Sequence, residues 1–185
     1  MDNKIIIVIS GPPCTGKTTL GNKIAEQFDL PFVSKDDIKE LLFDSLGIKD
    51  REWSRHLGIS SYRLLYYFVE AILRAWNSLI VESNFQDEYD SAQFQNLMKN
   101  YGFTTLQIQC KTKGEVLFER FKKRSESGER HPGHVDHLNY SEFEESLLKG
   151  SYKPLEIEGE VIYIDTTDFK EIDYNNLFNK INSLI

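Results

Sequence analysis

The chain has 185 residues, 40% of them hydrophobic and 28% charged, which suits one domain with a substantial core. Its formal net charge of −7 argues against a broad nucleic-acid surface, which would announce itself as excess Lys and Arg. No apolar run approaches the roughly twenty residues of a membrane span, and the two cysteines imply no disulfide framework.

Only Met1-Asp2-Asn3-Lys4 stands before the first strand, too little for a basic n-region and a cleavage site, so secretion is not expected and a reducing cytoplasm is. Lys4–Ser10 is a continuous apolar stretch rich in β-branched residues, the pattern of a strand buried on both faces. Gly11-Pro12-Pro13-Cys14-Thr15-Gly16-Lys17-Thr18 follows, a full match to G-x-x-x-x-G-K-[ST], the phosphate-binding loop. After it, Leu20, Ile24 and Phe28 recur four apart on a helix. Strand, glycine loop and helix are the context in which that motif cradles phosphate. Gly11 and Gly16 let the backbone turn its amides inward, and the helix N-terminus adds partial positive charge. The expected nucleotide contacts are Gly11 to Thr18 and Thr19. Lys17 reaches the β- and γ-phosphates, and the Thr18 hydroxyl binds Mg²⁺.

A second strand is expected at Pro31–Ser34, leading into Lys35-Asp36-Asp37-Ile38-Lys39 at the start of a helix. One aspartate can cap that helix and the other can accept the proton of an attacking hydroxyl; position alone does not choose. Lys39, on the face of Asp36, either holds an anionic substrate group or is solvated. Leu46–Arg63, with Arg51, Trp53, Arg55 and Tyr62, is expected to line the acceptor pocket. In the helix expected over 59–76, Tyr62, Tyr66, Val69, Leu73 and Trp76 form one apolar stripe and Leu65, Phe68 and Ile72 a second, implying burial against more than one neighbour. Tyr62 or Tyr66 can also reach a substrate cleft.

A third strand, Ser78–Ser83, places Glu82 at its carboxyl end, where a parallel sheet binds ligands. Glu82 can hold a water of the Mg²⁺ shell; alternatively Glu82, Ser83 or Asn84 caps the next helix. After a strand at Thr104–Cys110, Arg120 and Arg124 lie four apart on one helix face, suited to stacking on adenine or gripping phosphate. Ser125–Asn139 has two glycines, a proline and almost nothing to bury, and is expected to be a mobile lid that carries Arg130 onto the reacting phosphate. His131, His134 and His137, near Asp136, are a weak zinc candidate without cysteine; solvent exposure or contact with phosphate fits them better. A last strand, Val161–Asp165, ends in a polar turn that can supply backbone groups to a purine. Asp168 is a candidate cap for a final helix carrying Leu177, Ile181 and Leu184. Helices are expected to fill most of the remainder, one α/β domain over 1–185 with the lid at about 125–139.

Together these residues resemble the small P-loop kinases, in the branch holding the polynucleotide 5′-hydroxyl kinase domain, chloramphenicol phosphotransferase and zeta-toxin-type sugar-nucleotide kinases. The resemblance implies the P-loop nucleoside-triphosphate hydrolase fold, with a parallel sheet of five strands in the order 2-3-1-4-5. It also implies ATP as co-substrate and Mg²⁺ as cofactor. Asp36, Ile38 and Lys39 match the branch's general-base pattern, which favours Asp36 over Asp37. Glu82-Ser83-Asn84 is similar to the acidic-hydroxyl-Asn run of the polynucleotide kinases and adds Asn84 to the acceptor contacts. Arg120 and Arg124 resemble the arginine pair at the adenylate kinase lid, the first over adenine. Lys39 departs from the arginine common at its position, and the overall acidity departs from a polynucleotide handler.

The expected function is therefore transfer of the γ-phosphate of ATP to a hydroxyl of a small molecule, with Asp36 as base and Arg120, Arg124 and Arg130 neutralising charge. The alternatives are a polynucleotide 5′-hydroxyl kinase and a non-catalytic, nucleotide-gated switch. A ring-forming motor of the AAA type, suggested by the loop alone, is set aside because one helix follows the fifth strand. Extended nucleic acid and membrane are not expected partners, and a monomer or dimer is.

Overall fold

Five β-branched residues in a row, Ile5 to Ile9, bury completely at the centre of the sheet, and that burial is what the sequence pattern demands. A computed structural model describes residues 4–75, 77–128, 130–134 and 140–185. Its strands are β1 (Ile5–Ser10), β2 (Phe32–Ser34), β3 (Leu79–Glu82), β4 (Thr104–Lys111) and β5 (Glu160–Asp165), all parallel and ordered β2-β3-β1-β4-β5. The helices are α1 (Lys17–Phe28), α2 (Lys35–Leu46), α3 (Arg51–Arg74), α4 (Asp87–Tyr101), α5 (Gly114–Glu126), α6 (Tyr140–Leu148) and α7 (Tyr174–Asn182). This is the α/β, P-loop fold that the resemblance implies.

Alternate residues of the strands feed two cores. Ile6, Val8, Leu79 and Val81 meet Leu65, Val69 and Leu73 of α3 and Phe94 of α4 on one face. Ile5, Ile7 and Ile9 meet Leu20 and Ile24 of α1 and Leu177 and Ile181 of α7 on the other. Fully burying each such side chain stabilises the fold by about 1.5–3 kcal/mol. A third, smaller cluster joins Leu117 and Phe121 of α5 to Leu147 of α6 and to Cys14 of the phosphate loop. No helix among the described residues is long and apolar enough to cross a membrane.

Several expectations are corrected. The long helix begins at Arg51, where Asp50 caps it by accepting from Trp53 N at 2.8 Å. Phe68 of its second stripe is 43% exposed, because neither core reaches that side. Trp76 lies outside the described residues. Residues 149–159 form no helix or strand. The Gln107 carboxamide instead bonds both the N–H (2.9 Å) and the carbonyl (3.1 Å) of Leu155, which substitutes for a ladder. Asp168 caps the short 3₁₀ turn Phe169–Glu171, and Asp173 caps α7.

Candidate active site

The phosphate loop owes its shape to three positive φ angles, at Gly11 (143°), Cys14 (65°) and Gly16 (79°). Inversion at such positions turns successive amides toward one point and forms an anion nest. A side chain at Gly11 would also strike the Cys110 carbonyl of β4. Gly16 ends the loop and α1 begins at Lys17, so the helix N-terminus faces the same point. The Lys17 ammonium donates to the Pro12 carbonyl at 2.9 Å and lies 3.8 Å from Glu82 Oε1. It is the cation of the nest, buried against the loop's own backbone.

Glu82 ends β3 beside Ser34, which ends β2. The Glu82 Oε2 atom accepts from Thr18 Oγ1 at 3.2 Å and from Ser34 Oγ at 3.0 Å. Burial pushes this carboxyl up, Lys17 pulls it down, and the net effect is a raised value. Ser34 also receives Asp37 N and is the N-cap of α2, so neither aspartate is the cap. Ser83 and Asn84 do not cap α4 either: Gln86 is its N-cap residue, and Asp90 Oδ2 accepts from Gln86 N at 2.7 Å. The oxygen set of Thr18, Ser34 and Glu82 suits a hard divalent cation such as Mg²⁺.

Asp36 lies in the same cavity, on the first turn of α2. Lys35 Nζ donates to its Oδ1 and Arg130 to its Oδ2, each at 2.9 Å. Burial alone would raise the Asp36 carboxyl, but the Lys35 and Arg130 cations outweigh it and hold it well below the usual range. It is therefore ionised, and a carboxylate that accepts one bond on each oxygen keeps one acceptor site on each for a hydroxyl. Asp37 is exposed at the cavity wall and shifts the other way, burial and its acidic neighbours raising it.

Gly133 and His134 of the expected lid are buried and Arg130 and His131 half-buried, while Glu126, Ser127, Gly128 and Pro132 are exposed. Pro132–His134 forms a 3₁₀ turn against Phe43 of α2, which stacks on His131 at 5.3 Å and meets His134 edge-on at 5.6 Å. His134 is 4% exposed, so its expected solvent exposure is corrected. Arg130 NH2 donates to His134 Nδ1 at 2.9 Å, and arginine has no acceptor. The ring is therefore neutral with its proton on Nε2, which donates to Glu40 at 3.0 Å. Burial, the first cause, lowers the His134 value and agrees with a neutral ring. Arg130 NH1 also donates to Glu40 at 3.3 Å, so Arg130, His134 and Glu40 close a ring of bonds to which Asp36 is joined through Arg130. Among the described residues no group of three or more His, Cys, Asp or Glu side chains could hold a metal ion, and Asp136 and His137 lie outside them.

At the opposite end, Arg120 donates through NH1 to the Thr166 carbonyl and through NH2 to the Thr167 carbonyl, each at 2.8 Å. Those carbonyls follow β5, so the expected polar turn serves the arginine. The Arg120 guanidinium lies 4.3 Å from the Phe169 ring centre, and a side chain at Gly16 would strike that ring. Arg124 lines the cavity with its Nε buried and without a hydrogen-bond partner. No ion pair joins either arginine to Glu115, Glu119 or Glu126 among those of the described residues. Lys39 is 7% exposed and donates to Ser54 Oγ at 3.0 Å, which corrects the solvated alternative. Asn84 accepts from the Tyr62 hydroxyl at 3.1 Å and stands between this cavity, of about 810 Å³, and a tyrosine-lined cleft of about 720 Å³ between α3 and α4. Arg51 and Arg55 line the first cavity as expected. Trp53 points away, its indole N–H donating to the Gly47 carbonyl at 2.9 Å.

Several participants escaped the sequence, Ser34 and Lys35 among them. Glu40 carried a usable signal, lying one helical turn after Asp36. Ser54 falls within the 46–63 segment expected to line the acceptor pocket; Phe169 carried no signal, because only the tertiary fold brings it to Gly16.

A family model described as an AAA domain matches residues 6–145. The crystal structure of a candidate kinase from Chloroflexus aurantiacus J-10-fl is 39% identical, covers 99% of this chain and 99% of its own, and superposes with a TM-score of 0.93. A sugar kinase from Janibacter sp. HTCC2649 is 18% identical over 98% of this chain and 94% of its own (TM-score 0.57). A gluconokinase from Sinorhizobium meliloti 1021 is 15% identical over 99% and 94% (TM-score 0.52); both share the fold. No curated protein matches the sequence.

Proposed function

We propose that this chain, which belongs to the AAA domain family and is a P-loop kinase, moves the γ-phosphoryl group of ATP onto a hydroxyl of a small-molecule acceptor. The observation that carries the reading is one cavity holding both a phosphate nest, with Lys17, Thr18 and Glu82, and a separate ionised carboxylate, Asp36. A nucleotide switch needs the first and has no use for the second. The branch within the P-loop kinases and the preference for a small molecule over a polynucleotide end are part of this proposal.

Loop amides from Cys14 to Thr19 and the Lys17 ammonium hold the β- and γ-phosphates, and Arg120 beside Phe169 holds the base. The orphaned Arg124 Nε is a donor suited to a phosphate oxygen. Mg²⁺, bound by the Thr18 hydroxyl and through water by Glu82, supplies neutralisation of the phosphate charge when present. Asp36 accepts a hydrogen bond from the acceptor hydroxyl and aims it; Lys39 and Asn84 hold the acceptor. A new bond forms between the acceptor oxygen and the γ-phosphorus as the bond from that phosphorus to the β–γ bridging oxygen breaks. The hydroxyl proton passes to Asp36 and then to water. Such a transition state is loose, so a carboxylate with a depressed value suffices for orientation. Arg124 and Arg130 balance the charge that spreads over the transferring group. The turn at 130–134, docked on α2 beside the cavity, helps to exclude water.

The test is an acceptor screen with γ-labelled ATP, run on the wild type and on Asp36→Asn. The expected result is label transfer to a small alcohol, with the variant binding ATP normally and losing about 10²–10⁴-fold in kcat. Equal turnover in the variant removes Asp36 from the reaction; absence of nucleotide binding by the wild type removes the reading.

A further inference from the structure

We propose that Glu40 and His134 are positioning residues for the transfer: they fix the Arg130 guanidinium so that it holds Asp36 in line with the acceptor hydroxyl. The inference rests on the kinase reading and deepens it, adding two residues that act on the base through a third. It comes from following the donors of Arg130. The NH2 nitrogen carries two N–H groups. One goes to Asp36 Oδ2 and the other to His134 Nδ1, each at 2.9 Å. NH1 donates to Glu40 Oε1 at 3.3 Å, and the same oxygen accepts from His134 Nε2 at 3.0 Å. Two anchors on a planar fork set its plane as well as its place. With NH1 on Glu40 and one N–H of NH2 on His134, the second N–H of NH2 has a single direction, and Asp36 lies along it.

Each anchor is itself held. Glu40 lies one helical turn after Asp36 on α2, so the two carboxylates share a face, and like charges at that spacing repel. The guanidinium between them turns the repulsion into a bridge. His134 is buried with its ring edge-on to Phe43 at 5.6 Å, so packing as well as hydrogen bonding fixes the imidazole. Asp36, Glu40, Arg130 and His134 all line the cavity. On the far side of Asp36, Lys35 holds Oδ1 at 2.9 Å. A carboxylate gripped on both oxygens has one orientation, and a hydroxyl aimed by it inherits that orientation. A ring that only fastened the lid would close on Glu40 and His134 alone; the shared NH2 nitrogen carries it on to the base.

The experiment has two arms, both on the full chain. In the first, without ligand, NMR of the nitrogen-15-labelled protein follows the Arg130 guanidinium, its signals assigned by their loss in Arg130→Ala. Separate NH1 and NH2 signals are expected in the wild type and in Glu40→Gln, whose amide oxygen still accepts both bonds. Merged signals, from a group that turns freely, are expected in Glu40→Ala and His134→Leu. In the second arm, transfer is timed with γ-labelled ATP, Mg²⁺ and the alcohol that takes up label in the acceptor screen. Glu40→Ala and His134→Leu each lower kcat about 10–100-fold, while affinity for a non-hydrolysable ATP analogue changes less than about twofold. Glu40→Gln recovers most of the loss. In an Arg130→Ala background, Glu40→Ala costs less than about twofold more, because its effect passes through the missing guanidinium. Merged Arg130 signals in the wild type overturn this inference and leave the kinase reading standing. So do an unchanged kcat in both variants, a Glu40→Gln as slow as Glu40→Ala, and losses that multiply in full between Glu40→Ala and Arg130→Ala. A wild type that labels no alcohol overturns the kinase reading and this inference with it.

Discussion

Burial drives the Glu82 carboxyl toward its neutral form, while the hydroxyls of Thr18 and Ser34 and the Lys17 ammonium hold its charge. Glu82→Gln keeps an acceptor for both hydroxyls and removes the charge that a divalent ion uses. Its expected phenotype is an unchanged melting temperature without nucleotide, and a loss of about 10–100-fold in activity or Mg²⁺ affinity, read by titrating Mg²⁺ at fixed ATP. His134 makes a second prediction at this scale. It is buried neutral between Arg130 and Glu40, with Asp36 and Lys39 nearby, and its value lies below the ordinary 6.5. The undocked lid therefore binds more protons than the docked one below that value. Docking is fully favoured above about pH 6.5 and weakens as pH falls toward the docked value. Exchange of the His134 amide, corrected for its intrinsic rate, is expected to be faster at about pH 5.5 than at about pH 7.5, and His134→Gln to flatten the difference.

Between α2 and the lid, the fit is made by Gly133 against Phe43. A methyl group at Gly133 would strike three atoms of that ring, and Phe43 is itself 2% exposed and cannot retreat. Overpacking of this kind costs about 1–3 kcal/mol. A 3₁₀ turn at the rim relieves it by undocking, with the sheet and its helices intact. Gly133→Ala is therefore expected to leave the melting temperature within error and to lower kcat, with lid amides losing protection. An equal fall in melting temperature and activity would place the contact in the global core instead. The segment looked too polar to bury anything when read residue by residue. Its partner, Phe43, lies about ninety positions earlier, and no local pattern announces such a pairing.

Over the whole molecule, the sheet edge where the loop, Glu82 and Asp36 meet is the carboxyl edge of a parallel sheet, so a ligand bound there would bridge all three segments. Saturation by Mg²⁺ and nucleotide at about 100 times Kd adds about 2.7 kcal/mol of stability. At 2–4 °C per kcal/mol for a chain of this size, the melting temperature is expected to rise by about 5–10 °C. Lys17→Ala is expected to abolish most of that rise while folding normally, since among the described residues its ammonium bonds the loop carbonyl and faces Glu82. A rise that survives in Lys17→Ala would mean that nucleotide stabilises the chain elsewhere.

The sequence by itself determined the local geometry: β-branched runs became strands, the glycine loop became a nest, and the placement of Asp36 and Glu82 after strands put both at the ligand edge. These are consequences of backbone preference and of a fixed period of side-chain direction, which act over a few residues. The tertiary structure alone decided the partners. It set Arg130 on Asp36 and His134 on Glu40, turned Arg120 onto the carbonyls after β5, and brought Lys39 to Ser54. Each is a contact between segments whose separation along the chain carries no periodic mark, selected by where packed helices leave room and where a buried charge must find an opposite one.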